Sequence, residues 1–338
     1  MIRRAAYVLA ALLVVAPLLW AAIRHVREDA AWALARAAAT AHERTGYTGR
    51  AAWRHGKWGW SVAVTHDAES GWTRYGWGWG AYTVQGPSSR NPDPAAWCLD
   101  LGALEKSYRA REEQPTRFLD RSARTVVLEP RHEARPWLRL TLDAETMLPL
   151  QVASHRPDGS LYRVAAFREV EIGAQSVEAP TRQRHHQRWF GNRVDGPGLD
   201  EALGFHALVP DSLPPGFRCI ESRVSTAWST PKAIMVFSDG VTAFEISQRT
   251  VPTPAQLEAA MVRRHGPRRG ARMAEKMLND RLRALAQGGD ADALCRRHKF
   301  GMHTSYELRV GEREVRMTAR EDLDGEEVLR VLRSLRPR

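Results

Sequence analysis

The sequence lacks the short motifs that mark the active sites of the common enzyme classes. It has no Gly-x-Ser-x-Gly elbow, no P-loop, no Gly-x-Gly-x-x-Gly dinucleotide fingerprint and no His-Glu-x-x-His pair. Carboxylates are frequent, but none is spaced so that the sequence identifies an acid and base pair. We therefore expect a binding protein rather than an enzyme, with no cofactor and no metal.

Cysteine is scarce, with three residues in the whole chain. None follows the N-terminal apolar stretch closely, which argues against lipoprotein processing. In an oxidising compartment two of the three can pair. Cys219 with Cys295 is the more natural disulfide, because both fall in what we interpret as the second domain. Three separate thiols, with Cys98 as the third, are the alternative.

Acidic residues are fewer than basic ones. The chain has 39 Asp and Glu and 50 Lys and Arg, for a formal net charge of +11. Such a balance suggests an anionic partner, namely a membrane surface, lipopolysaccharide, nucleic acid or an acidic protein. It is also what a GC-rich genome produces. The densest basic cluster consists of Arg263, Arg264, Arg268, Arg269 and Arg272. Aromatic residues are not interleaved with it, which argues against nucleic acid. The cluster is then either a surface for a partner or an anionic membrane, or a solvated helix face.

The N-terminus carries an export signal in one of two forms. Arg3 and Arg4 precede an apolar stretch from Ala5 to Ile23, and Arg24 follows at once. Residues 1–25 are therefore either a cleaved signal peptide or a retained membrane anchor, since the stretch is just long enough to span a bilayer. Both forms predict that the rest of the chain is periplasmic, either free or tethered to the inner membrane.

Tryptophan is concentrated in one short region of the chain. Two Trp-Gly-Trp triplets contribute four of the six tryptophans there, which are Trp53, Trp58, Trp60, Trp72, Trp77 and Trp79. At a spacing of two, each pair of a triplet projects from one face of a strand, and a hairpin would merge the two pairs. The resulting apolar surface is either a filled core or an open pocket for a greasy ligand.

The remaining patterns predict an α+β protein of two domains. A domain over residues 28–174 begins with a helix and continues as an antiparallel meander, in which Pro157-Asp158-Gly159 marks a hairpin. We expect a single strand over Trp72–Val84 and a helix over Ala95–Arg111. A polar, Gly- and Pro-containing linker is expected over residues 175–200, and a smaller mixed domain over residues 201–338.

Several segments together resemble the MucB and RseB family of periplasmic regulators. The segments that carry the resemblance are Tyr47-Thr-Gly-Arg50, Arg135–Leu150, Arg156–Ile172, Val209–Phe217 and Phe237–Gly240. The resemblance implies a curved antiparallel half-barrel sheet closed by helices, as in the carrier LolA, followed by a smaller mixed α/β domain. The tryptophan triplets and the basic segment over residues 266–298 depart from the patterns of that family.

The resemblance also implies a function in sigma factor regulation. Members of the family bind the periplasmic part of a membrane anti-sigma factor, shield it from proteolysis and are thought to respond to lipid-type signals. The alternative is a LolA-like periplasmic carrier of lipid or lipoprotein, in which the tryptophan surface binds the ligand. Self-association into a homo-oligomer stays open.

Overall fold

A computed structural model describes residues 2–56, 58–78, 80–87, 93–132, 135–179, 192–194, 196–225, 230–286, 296–300, 303–310, 313–320, 323 and 325–337. By its internal contacts the chain divides into two compact units, residues 1–180 and residues 181–338. Each unit contains its own antiparallel sheet and a few helices. The predicted α+β class with a large antiparallel sheet is thereby confirmed.

The first unit consists of helices α1 (Ile2–Ala39) and α2 (Leu101–Ser107), two 3₁₀ turns and ten strands. The 3₁₀ turns are Ala41–Glu43 and Pro94–Ala96. The strands are β1 (Tyr47–His55), β2 (Trp58–His66), β3 (Trp72–Trp77), β4 (Gly80–Gln85), β5 (Tyr108–Glu112), β6 (Thr116–Phe118), β7 (Arg121–Pro130), β8 (Trp137–Asp143), β9 (Pro149–His155) and β10 (Leu161–Ile172).

These strands form one sheet in the order β4-β3-β2-β1-β10-β9-β8-β7-β5, with β6 paired to β7. Most neighbours in the sheet are also neighbours in the chain, because short turns join them. The predicted turn at Pro157-Asp158-Gly159 joins β9 to β10, and Gly159 there has a φ of 83°. A positive φ of this kind favours glycine.

Alternation along the strands determines which side chains form the core. Tyr47, Ala51, Val62, Tyr75 and Phe167 form one buried cluster on one side of β1, β2, β3 and β10, which we call the inner face. On β8, three leucines at alternate positions are fully buried, as their spacing in the sequence predicts: Leu138, Leu140 and Leu142. In α1, burial recurs with helical spacing at Ala31, Trp32, Ala35 and Ala38.

Two predicted elements of this unit are wrong. The expected strand over Trp72–Val84 is a hairpin, because the chain turns at Gly78 and pairs Trp77 with Gly80. The expected helix over Ala95–Arg111 is broken into a 3₁₀ turn, α2 and β5. Pairing of β5 with β7 takes Tyr108 and its neighbours out of the helix, so tertiary pairing overrides local helical spacing.

The N-terminal export signal is not tested. The side chains of residues 1–19 lie outside the described part of the structure. They include most side chains of the apolar stretch. Within the part of the chain that is described, no helix combines the length and apolar character needed to cross a membrane.

The second unit consists of helices α3 (Gly196–Leu203), α4 (Pro254–His265), α5 (Pro267–Ala286) and α6 (Gly325–Arg333), together with further strands. These are β11 (Asn192–Arg193), β12 (Leu208–Pro210), β13 (Arg218–Ser225), β14 (Lys232–Ser238), β15 (Ala243–Thr250), β16 (Arg296–Phe300), β17 (His303–Val310), β18 (Arg313–Arg320) and β19 (Leu335–Pro337). The main sheet has the order β11-β13-β14-β15-β18-β17-β16, and β12 pairs with β19.

The linker expected over residues 175–200 is shorter than the sequence suggested. Asn192–Arg193 pair with β13, and α3 begins at Gly196, so both belong to the second unit. The Gly-Pro-Gly sequence that indicated a linker instead starts a helix, where proline is favoured in the first turn. Leu199 and Leu203, four residues apart, are then buried in the core of this unit.

Candidate functional site

Aromatic rings line the inner face of the first sheet beyond its buried core. Trp53 of β1 pairs with Trp60 of β2, and their ring centres lie 4.5 Å apart. Trp77 of β3 stacks on Tyr82 of β4 at 5.3 Å. His55 lies 5.7 Å from Trp53 on the same strand. We call these five residues the aromatic face.

The strand register explains why these rings share one side of the sheet. Residues two apart on a strand point the same way, so Trp53 and His55 follow buried Ala51. Trp60 precedes buried Val62 by two residues in the same manner, and Trp77 follows buried Tyr75. Trp60 of the first triplet and Trp77 of the second are therefore brought to one side of the sheet.

The aromatic face is partly open to solvent. Trp60 is 40% exposed, and Trp53, Trp77 and Tyr82 are half-buried. By contrast, Trp32 and Trp97 are only 5% and 7% exposed. Flat rings that keep part of their surface in water can take up the apolar side chains of another molecule.

On the inner face, the buried carboxylate of Asp93 joins β1 to β3 through hydrogen bonds. The hydroxyls of Tyr47 and Tyr75 donate to the same oxygen of Asp93, at 2.9 and 2.8 Å. The other oxygen of Asp93 accepts from the backbone amide of Ala95 at 3.0 Å and caps the 3₁₀ turn. Burial raises the pKa of Asp93, although the tyrosine hydrogen bonds oppose the shift.

A histidine next to this carboxylate joins the sheet to the end of α1. Nε2 of His66 lies 2.8 Å from the carbonyl of His42, and Nδ1 lies 2.8 Å from the Thr73 hydroxyl. Because a carbonyl can only accept, Nε2 carries the proton and donates it. Burial lowers the pKa of His42 itself. The network therefore ties together β1, β2 and β3, the strands that carry Trp53, Trp60 and Trp77. Sequence reasoning missed it, although Asp93-Pro94 is a helix-start signal.

The other predicted ligand-binding tryptophans divide into two cases. Trp72 lies on β3 one residue before inner-face Thr73, so its half-buried ring is on the opposite side of the sheet. The side chain of Trp58 and the whole of Trp79 lie outside the described residues.

The predicted basic cluster lies in the second unit. Arg263 and Arg264 are in the last turn of α4, while Arg268, Arg269 and Arg272 are in α5. All five side chains are exposed. The aromatic face belongs to the first unit, so the two groups of predicted site residues lie in different units.

The disulfide considered between Cys219 and Cys295 is not supported. Cys219 is a free, exposed thiol on β13. Cys295 itself lies outside the described residues.

A pocket of about 410 Å³ lies on the other side of the first sheet, around β7 and β8. Trp137 forms part of its wall and stacks on His155, with the ring centres 3.9 Å apart. The lining combines both signs of charge with apolar groups: Arg111, Glu113, Val127, Glu129, Pro130, Arg131, His132, Arg135, Trp137 and Pro157. The sequence did not single out this pocket, because its residues come together only through strand pairing.

Metal-binding geometry is not found in the described part of the chain. There, no three or more His, Cys, Asp or Glu side chains come close enough together to hold a metal ion. The chemistry available at the aromatic face is therefore that of apolar contact, ring stacking and hydrogen bonding.

Comparison with known proteins connects this fold to one family. Residues 77–188 match the family described as MucB/RseB N-terminal domain. The Sigma factor AlgU regulatory protein MucB of Pseudomonas aeruginosa strain PAO1 is 27% identical over 150 residues, which cover 44% of this chain and 46% of MucB. The sequence match thus spans about half the length of that relative.

Solved structures extend the likeness of fold to most of the chain. The crystal structure of MucB aligns with a TM-score of 0.56 at 16% identity, over 92% of this chain and 98% of MucB. MucB in complex with MucA(peri) aligns with a TM-score of 0.55 at 18% identity, over 91% of this chain and 98% of that one. In its fold and in the sequence of residues 77–188, this chain is a MucB/RseB-like protein.

Proposed function

We propose that this protein is a non-enzymatic regulator of the cell envelope that binds the periplasmic part of a membrane anti-sigma factor. The observation that carries the proposal is the alignment of this chain, over nine-tenths of its length, with MucB in complex with MucA(peri). A relative with a matching sequence is named as a regulator of the sigma factor AlgU. The same likeness and the apolar stretch after Arg3 and Arg4 support a periplasmic location.

We assign the aromatic face as the surface on which apolar residues of the partner pack. Tryptophan and tyrosine contribute most of the binding energy at many protein interfaces, because they bury a large area at a low cost in side-chain entropy. Trp60 offers such a surface, since it is 40% exposed and is held against Trp53. The buried carboxylate of Asp93 keeps the supporting strands in place.

We further infer that the first sheet curves into a half-barrel around this face. Arg168 is an extra residue opposite the Arg50–Ala51 step of β1, and the pairing of β8 with β9 shifts at Thr141–Leu142. Bulges of this kind increase local twist and bend the strand. Curvature would turn the aromatic rings toward a common concavity.

A lipid carrier is the second candidate, and the same half-open aromatic face favours it. An acyl chain of a lipid, a lipoprotein or lipopolysaccharide would gain roughly 25 cal/mol for each Å² of apolar surface buried there. Both candidate functions use the same rings. They differ in what copurifies with the protein from membranes, which is an anti-sigma factor for the regulator and lipid or lipoprotein for the carrier.

The test uses the whole chain as bait on detergent-solubilised membranes of its own organism. We expect enrichment of a single-span membrane protein encoded next to a sigma factor. Binding of its purified periplasmic segment should weaken by about 30-fold in Trp60→Ala, the effect of losing about 2 kcal/mol at an interface hot spot. Trp72→Ala is the matched control, because it removes a half-buried tryptophan from the opposite side of the same sheet.

Two outcomes would count against the proposal. Enrichment of lipoproteins alone, together with uptake of a fluorescent fatty acid that Trp60→Ala abolishes, would favour the carrier. Equal weakening by Trp60→Ala and Trp72→Ala would remove the aromatic face from the interface.

A further inference from the structure

The helical hairpin formed by α4 and α5 in the second unit is a separately packed module. Its apolar contacts are made by Leu257, Met261, Met273 and Ala274, which form a cluster distinct from the core of the second unit. Helix α4 starts with a capping box, in which Thr253 and Gln256 satisfy each other's backbone amides. The hairpin thus has its own start signal and its own small core.

The tip of the hairpin is built for close contact between the two helices. Gly266 ends α4 with a φ of 79°, and Pro267 begins α5 at once. A Cβ at Gly270 would lie 2.5 Å from the backbone of Met261, so only glycine allows this approach. The turn is therefore a fixed corner rather than a loose connection.

This corner of the hairpin is rich in positive charge. Its five arginines are exposed and belong to two successive helices: Arg263, Arg264, Arg268, Arg269 and Arg272. Residues 259–274 contain no Asp or Glu. On α5, Arg268, Arg272 and Lys276 follow one another at intervals of four, so they lie along one side of the helix. We call the five arginines the arginine tip.

Folding alone does not explain this placement. Arg263 and Arg264 suit the negative end of the α4 dipole, but Arg268 and Arg269 occupy the first turn of α5, where positive charge is unfavourable. Arg268, Arg269 and Arg272 also lie within little more than one turn of α5, where like charges three and four residues apart repel one another. An external anionic surface would relieve both effects at once.

We propose that the arginine tip docks the protein onto the surface of a bilayer that contains anionic phospholipids. Guanidinium groups bind phosphate oxygens in pairs of parallel hydrogen bonds. The charged groups project from an outward corner of the hairpin, and mobile lipid headgroups can gather around such a corner without a preformed complement. This inference does not depend on the proposed anti-sigma partner.

Vesicle binding by the full chain tests the proposal. We expect stronger binding to vesicles of phosphatidylcholine mixed with phosphatidylglycerol than to phosphatidylcholine alone, and loss of that preference at high salt. Each arginine replaced by glutamine should weaken binding to the anionic vesicles by about fivefold. The variant with all five tip arginines replaced by glutamine should show no preference. Any insertion of the N-terminal apolar stretch is common to all variants and cancels in this comparison.

A matched control separates the arginine tip from net charge. Five other exposed arginines, all in the first unit, are replaced by glutamine instead: Arg50, Arg54, Arg74, Arg109 and Arg168. This control should keep most of the preference for anionic vesicles, and circular dichroism should show that both variants are folded. Equal loss in the two variants would overturn the proposal. Binding of soluble polyglutamate through the arginine tip, without binding of vesicles, would also overturn it and point to an acidic protein.

Discussion

The hydroxyl of Tyr47 donates a 2.9 Å hydrogen bond to Asp93, which lies 46 residues further along the chain, and both side chains are buried. Tyr75 donates to the same carboxylate oxygen at 2.8 Å. One carboxylate thereby connects β1, β3 and the 3₁₀ turn at Pro94–Ala96. Because β1 and β3 also carry Trp53 and Trp77, loss of this connection is expected to affect both stability and binding.

The first prediction concerns the pH dependence that Asp93 imposes on stability. Burial raises the pKa of Asp93 in the folded state. Its contribution to stability is therefore fully present below the unfolded pKa of about 3.9 and is lost as the pH rises through the folded pKa. In Asp93→Asn this loss is absent, so the free energy of unfolding should fall less steeply as the pH rises from about 4.

Urea unfolding at a series of pH values measures the effect. Asp211→Asn is the control, because Asp211 is exposed, so this variant shows the effect of removing a carboxylate from the surface. Parallel profiles for wild type and Asp93→Asn would contradict the prediction.

Tyr47→Phe should destabilise the protein by about 1–3 kcal/mol, since it removes one donor to a buried acceptor.

The second prediction compares two tryptophans that differ in burial. Trp32 is 5% exposed in the packed face of α1, whereas Trp60 is 40% exposed on the aromatic face. Trp32→Ala should cost about 3–5 kcal/mol of folding stability, because it leaves a cavity. Trp60→Ala should cost only about 1 kcal/mol, mainly the contact with Trp53. Chemical denaturation followed by circular dichroism measures both values, and equal losses would mean that Trp60 belongs to the core.

Strands with clear alternation and strong turns were predictable from the sequence. The hairpin expected at Pro157-Asp158-Gly159 is present and joins β9 to β10, because the turn and both strands are next to one another in the chain. The helix expected through Tyr108 was wrong, since pairing with β7 is a long-range contact that local spacing does not contain. Short-range patterns are reliable only where the final partner is also close in the chain.

The candidate site was likewise predictable only where short-range patterns determine it. The concentration of tryptophans indicated a shared surface, and the register brings Trp53, Trp60 and Trp77 to one side of the sheet. The meeting of Tyr47, Tyr75 and Asp93 was not predictable, because it requires three separated segments to be placed by the folded sheet. Polar residues that act together across such distances carry no common spacing in the sequence.

The third prediction concerns Asp143, whose effect on stability has the opposite sign. Arg121 donates to Asp143 at 2.6 Å, and the backbone and hydroxyl of Thr146 donate at 2.9 and 2.8 Å. Burial alone would raise the pKa of Asp143, but these hydrogen bonds outweigh it and lower the pKa. Its contribution to stability is therefore present above the unfolded pKa of about 3.9 and is lost as the pH falls through the folded pKa.

Asp143→Asn should accordingly cost about 1.5–3 kcal/mol near neutral pH, because the charged hydrogen bond to Arg121 is lost. The difference from wild type should shrink on acidification, as the wild-type carboxylate becomes protonated. Glu145→Gln is the matched control, since Glu145 approaches Arg121 only to 3.9 Å and its side chain is 87% exposed. A cost that stays constant down to acid pH would show that the charge of Asp143 is not what stabilises the turn.

The fourth prediction concerns the two cysteines that the structure describes. Cys219 is exposed on β13, whereas burial raises the pKa of the Cys98 thiol to about 12. Because the thiolate is the reactive form, Cys98 at about pH 8 should react roughly three orders of magnitude more slowly than an ordinary thiol with a pKa of about 8.5. In a Cys295→Ser background, a thiol reagent such as DTNB should label Cys219 at once and Cys98 only after unfolding. Adding Cys219→Ser should abolish the fast phase, and a fast phase that survives would show that Cys98 is accessible and ionised in the native protein.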